Sequence, residues 1–189
     1  MKRILLTLAA ALALAAAAAP VAQAGFGFTE LEVQSEAQGG GSATQAGSHP
    51  FALTTQVAVQ TEVDPDSGKV VPSEELKDLD IAFPPGLVGD TTAVPPCPTP
   101  DFLAGKSGEC ADASAVGVAE VEFGEPGKIV HVPLYNLEPG PGEAAKLGFI
   151  VEDRAPVAIS VGLDPDAPNN VVAHATNVSQ AIFFFRAKV

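Results

Sequence analysis

The chain has 189 residues, with 23 acidic against 10 basic, a formal net charge of −13, no tryptophan and one tyrosine. Such an acidic surface repels nucleic-acid phosphates and anionic membranes, so neither is an expected partner. An aromatic platform for sugar rings is poorly supplied, and the length suits one domain.

The first elements set the compartment. Lys2 and Arg3 precede an uncharged run of Leu, Ala and Thr with one Ile, from Ile4 to Ala19. Pro20 breaks the run, and Ala22-Gln23-Ala24 offers a small-residue cleavage site. This is the pattern of a secretory signal peptide over residues 1–24, cut after Ala24. The run is shorter than the roughly 20 residues that a spanning helix needs. No later stretch is apolar enough to span, so the mature chain is expected to have no transmembrane segment and to be secreted or held at the cell surface.

Residues 25–50 read as an edge strand around Leu31 and Val33, followed by a Gly/Ser-rich linker from Glu36 to Ser48. Residues 51–189 read as the body. From Phe51 to Val63, Phe, Leu, Thr and Val alternate with Ala, Thr, Gln and Glu, the period of a long half-buried strand. Asp64-Pro65-Asp66-Ser67-Gly68 has hairpin-turn chemistry. Leu79, Ile81 and Phe83 alternate with polar residues until Pro84-Pro85-Gly86 stops them. Further strands are expected at Val116–Phe123, Lys128–Leu137, Leu147–Val151, Val157–Leu163, Val171–Val178 and Ile182–Val189. Two helical turns are expected, one at Ser73–Leu79 with Ser73 as N-cap, the other at Thr99–Gly105 with Thr99 as N-cap and Pro100 first in the helix. About nine short strands between Gly, Pro and Asp clusters predict a mainly β fold, an antiparallel sandwich-like single domain.

The only cysteines are Cys97 and Cys110. Outside the cytoplasm such a pair is expected to form a disulfide. Closing a loop of ~14 residues contributes about 3 kcal/mol in the chain-entropy model. Phe102 and Leu103 are expected to pin the middle of the stapled loop to the sheet. A redox pair would want two intervening residues at a helix start. Zinc would need further ligands, and no histidine flanks either cysteine at finger-like spacing.

Chemistry-bearing residues are scattered. His49 precedes Pro50; His131 and His174 lie within alternating strands and would meet only if the sheet brings their strands together. Ser114 and Ser160 have no suggestive sequence neighbours, and no nucleophile elbow, P-loop or His-Glu-x-x-His motif occurs. Glu152 and Asp153, next to Arg154, read as a surface ion pair or, with a histidine, as half of an acid/base pair for a hydrolase. The Asp64–Asp66 and Asp164–Asp166 turns offer oxygens to Ca²⁺ but lack the other ligands of a calcium loop, so plain turns are expected. Asn177-Val178-Ser179 is a formal glycosylation sequon. No catalytic, cofactor-binding or metal-ligating set is assembled.

Three segments carry a resemblance: "DLDIAFPPGLVGDTTAVPPC", "CADASAVGVAEVEF" and "VPLYNLEPGPGEAAKLGFIVE". With Pro84 to Leu87, Cys97, Cys110, Ser114 to Gly117, Tyr135 to Leu137 and Gly148-Phe149, the stretch from Phe51 to Val189 resembles an uncharacterised, secreted, β-rich surface-protein module of high-GC soil bacteria. The group carries no known activity, so no site residues transfer. Its members are often longer, with this module first and further β-domains after it. The signal peptide, the strands, the stapled loop and the lack of an assembled catalytic set lead to a non-enzymatic secreted or surface module, structural or adhesive, as the expected function; the resemblance implies envelope components or further domains of a longer protein as its partners. The stretch "AIFFFRAKV" reads as a strand that either has its place in the sheet or is cut short; the resemblance implies a truncated member, with missing sequence supplying a strand that covers the last one. A secreted hydrolase and a calcium-stabilised binding module are the alternatives.

Overall fold

The computed structural model describes residues 27–104, 109–167, 170–178 and 182–189; the signal segment and Ala24 lie outside them. The described strands are β1 Phe28–Glu36, β2 Ala52–Val59, β3 Thr61–Val63, β4 Val70–Pro72, β5 Leu79–Ala82, β6 Ala115–Phe123, β7 Ile129–Leu137, β8 Ala145–Val151, β9 Ala155–Leu163, β10 Val171–Ala175 and β11 Ile182–Lys188. One helix, α1 Thr99–Leu103, and a 3-10 turn at Asp112–Ser114 interrupt them. Nine strands form a sheet in the order β1-β2-β11-β6-β7-β8-β9-β10-β5, every neighbouring pair antiparallel, while β3 and β4 form a separate hairpin.

This sheet is strongly curled. β8 and β11 are three strand steps apart in the order, roughly 14 Å in a flat sheet at about 4.8 Å per step. Yet the rings of Phe149 on β8 and Phe185 on β11 stack with centroids 5.2 Å apart. The chain therefore builds the two facing layers of a sandwich from two halves of one sheet. The bend falls between β7 and β8, whose ladder covers only Tyr135–Leu137 against Lys146–Gly148. Pro133 lies just beyond it and has no N–H with which to extend the pairing. Below that point β7 and β8 part, and their concave faces turn toward β11 and β2.

Alternation gives each strand a concave and a convex side. On the concave side Val59, Ala119, Val121, Leu134, Phe149, Val151, Val157, Ala175 and Ala187 form the buried core. A second cluster packs on the convex side, where Tyr135, Leu137 and Ile150 are covered by Phe102 and the Cys97–Cys110 disulfide. The covering loop passes from one side of the sheet to the other. Thr91 and Val94 border the concave side, where the buried Asn136 amide donates to the Val94 carbonyl at 2.7 Å. Cys97 then bridges to Leu137 at the end of β7, and α1 emerges on the convex side.

Two glycines of the quoted segments have close-approach roles. A Cβ on Gly148 would lie 2.6 Å from both the Phe102 ring and the Leu137 side chain, so its absence makes room for the ring that pins the loop. A Cβ on Gly117 would lie 1.9 Å from the Lys188 carbonyl oxygen, within the backbone of β11.

Several expectations are corrected. The long Phe51–Val63 strand is broken at Gln60. The Gln60 N–H bonds the Gly27 carbonyl while its own carbonyl accepts Ser73, so Thr61–Val63 leaves the sheet and Val63 is exposed. No helical turn forms at Ser73–Leu79. One turn is too short to nucleate alone, and tertiary bonds take it over: Lys77 carbonyl to Val178 N–H, and Asp78 Oδ1 to Asn177 N–H at 3.1 Å. Ser73 caps nothing there and bonds Gln60 instead. In α1 the N-cap is Pro98 rather than Thr99. Phe102 pins the loop, but Leu103 is exposed. Finally, β11 is not an uncovered last strand: it pairs with β2 on one side and β6 on the other, and Val189 exchanges both backbone bonds with Leu53.

Candidate functional site

The concave face encloses a cavity of about 710 Å³, within the range of about 300–1,000 Å³ usual for ligand pockets. Its wall comes from alternate residues of β2, β5, β8, β9, β10 and β11, Val57, Ile81, Leu147, Ile159, Ala173 and Phe185 among them. One end is closed. Leu76, Val178 and Ile182, all buried, lie where β2, β6, β8 and β10 finish and β5, β7, β9 and β11 begin. This is why the Ser73–Leu79 segment runs extended: it delivers Leu76 into that end. The opposite end is bordered by Phe51, Leu163 and the Gly86–Val94 loop, with Val88 89% exposed at the lip. Polar groups in the wall are few. Thr55 is buried on β2, and Asn136 holds the loop from within. Asp90 and His49 stand at the mouth and are the only titratable side chains among the described lining residues.

The convex face is chemically opposite. Next to the edge strand, Arg186 bonds Gln56 Oε1 at 2.6 Å and Glu120 Oε2 at 2.7 Å, and lies over the Phe184 ring. Lys188 meets Glu36 at 2.5 Å, and together with a Thr54 hydroxyl it holds the Glu36 carboxyl below its ordinary range. Farther along the sheet, cross-strand register sets Ser160 of β9, His174 of β10 and Asp80 of β5 side by side. His174 Nδ1 is 2.6 Å from Asp80. The Ser160 hydroxyl, however, donates to Glu143 at 2.5 Å. That bond, the Gly140 N–H and Lys146 keep Glu143 below the usual carboxylate range. The row thus divides into a His–Asp pair and a Ser–Glu pair, with no hydrogen bond from serine to histidine among the described residues.

The other singled-out residues separate in the same way. His131 pairs loosely with Glu120, 3.7 Å away on the convex face, so the two strand histidines do not meet. Glu152 and Asp153 form the tip of the β8–β9 hairpin, both at positive φ (50° and 55°), where Arg154 N–H returns to the Val151 carbonyl. Glu152 is an ion-pair partner of Lys128 and Arg154, which lower its pKa. Asp64 and Asp164 each fold Oδ1 back onto two N–H groups, at 2.9 and 2.7 Å and at 2.8 and 3.2 Å, the plain turns that Asp-Pro-Asp predicts. Among the described residues no three metal-capable side chains cluster. Cys97 and Cys110 are joined, with Cα atoms 5.4 Å apart. Burial and the Asp112 carboxylate raise the Tyr135 phenol above its ordinary pKa. Ser114 bonds the Ala111 carbonyl within the 3-10 turn. No helix among the described residues is long and apolar enough to cross a membrane.

Sequence reasoning missed the cavity and the Ser160–His174–Asp80 row. Both depend on strand order. Comparison with protein-family models, with curated proteins and with solved structures found no match.

Proposed function

We propose that this chain is a non-enzymatic, secreted or cell-surface module that binds an apolar ligand in its concave cup. One observation carries the reading: a cavity of about 710 Å³ with a closed end and an almost wholly apolar wall. Catalysis needs polar groups converging on a reacting atom; the cup has few, with Asp90 and His49 at its mouth, and the Ser160–His174–Asp80 row stands on the other face of the sheet. Export is supported by the signal-peptide pattern ending at Ala24 and by the disulfide, which persists in oxidising compartments. The resemblance to bacterial surface-protein modules supports envelope components or further domains of a longer protein as neighbours. The test is native mass spectrometry of protein recovered from the growth medium. The expected mass is that of residues 25–189 less two protons, together with a lipid-sized adduct lost on denaturation. A protein that carries no adduct and takes up no uncharged dye sinks the reading.

A second reading, a hydrolase, is favoured by the adjacency of Ser160, His174 and Asp80. It requires Ser160 to release Glu143 and turn to His174. An ester panel compared between the chain and Ser160→Ala tests it; activity unaffected by that change removes this row from any mechanism.

A further inference from the structure

We infer that the cup selects an uncharged, elongated hydrocarbon chain and discriminates against fatty acids and other anionic amphiphiles. The inference rests on the reading of the cup as a ligand site and names the ligand class. Shape gives the first half. The lining residues of β9 run from Val157 near the closed end to Leu163 at the lip, a depth of roughly 20 Å at about 3.3 Å per residue. A volume of about 710 Å³ spread over that depth describes a slot for one or two extended chains.

Charge gives the second half. No lysine or arginine lines the cup among the described residues. Lys146, Arg186 and Lys188 stand on the convex face. Lys69, Lys77, Lys128 and Arg154 lie around the closed end. At the mouth stands a carboxylate instead. Asp90 accepts the Thr92 hydroxyl at 2.7 Å and the Thr92 N–H at 2.9 Å, and these bonds hold its carboxyl below the ordinary carboxylate range. An anionic headgroup drawn to the lip would meet Asp90 and no lysine or arginine among the described residues. Drawing an ionised group below the lip, out of water and without a partner, is costly. An alcohol, ester or hydrocarbon end has no such cost and fits the acidic chain as a whole.

The test is displacement of N-phenyl-1-naphthylamine, an uncharged dye, from the purified full chain at pH 7.5. Competitors are 1-octanol, 1-decanol and 1-dodecanol, each below its solubility limit, and dodecanoate below its micellar range. The alcohols are expected to displace the dye, with affinity rising about fourfold per added methylene. Dodecanoate is expected to bind about tenfold or more weakly than dodecanol. Asp90→Asn should raise the affinity for dodecanoate by more than that for dodecanol. Val161→Trp, which narrows the mouth, should abolish binding of the dye itself while the urea unfolding transition survives; should it fail to fold, Ala173→Leu takes its place. Dodecanoate binding as tightly as dodecanol overturns the selectivity and leaves the apolar-ligand reading standing. A protein that binds neither dye nor alcohol overturns both.

Discussion

The concave and convex faces of this sheet are made by the same strands, one residue out of phase, and they obey different physics. Concave side chains touch one another across the curl and exclude water, so they are worth transfer free energy and packing. Convex side chains at the β1 end form ion pairs in water, where such pairs contribute little. Beneath the disulfide loop the convex face becomes apolar again, because something covers it. Burial, rather than strand identity, decides which rule applies.

The largest effect that sharpens this contrast is Phe149→Ala. It removes a buried ring stacked on Phe185 across the cup and should cost about 3–5 kcal/mol in urea unfolding. A cost under about 1 kcal/mol would mean that the curl is not held by this contact. Next, Cys97→Ser with Cys110→Ser should cost about 2–4 kcal/mol and loosen the loop, read as faster proteolysis near Phe102. Gly148→Ala comes third, at about 1–3 kcal/mol from overpacking against Phe102 and Leu137. Made together with Phe102→Leu, its cost should shrink, because the ring that the new methyl meets has gone.

On the convex face Arg186→Gln should cost no more than about 1 kcal/mol, less in high salt, although the residue touches Gln56, Glu120 and Phe184. If it matches Phe149→Ala, the contrast between faces is wrong. The smallest effect at neutral pH is that of titration. Glu36, Glu143 and Glu152 all have pKa values lowered by folding. Their contribution is complete above the unfolded value, about 4.3, and is lost as pH falls through the lower folded values. Melting temperature should therefore be flat near neutrality and fall in acid. Glu143→Gln should remove part of that fall.

Much of the local structure was legible because its causes are local. Alternation from Leu53 to Val59 identifies a strand and its apolar side. Asp-Pro-Asp predicts turns in which the first carboxylate bonds onward. Where the reading failed, a distant partner had intervened. Leu76 was read as part of a helical turn, but Val178 and Asn177 hold its segment extended in the closed end. Gln60 sits in an unbroken alternating pattern, but Gly27 and Ser73 take its backbone bonds and end the strand.

The residues by themselves determined that the chain is mainly β, that its cysteines pair, and that one face of most strands is apolar. Only the tertiary structure decided what those faces meet. A period of two states that a side chain points inward; it carries no information about strand order. That order places β11 between β2 and β6, stops the β7–β8 ladder short of Pro133, and curls the sheet into a cup. It also puts Ser160, His174 and Asp80 in one row, because such neighbours are set by pairing between distant segments, His174 and Asp80 being 94 residues apart.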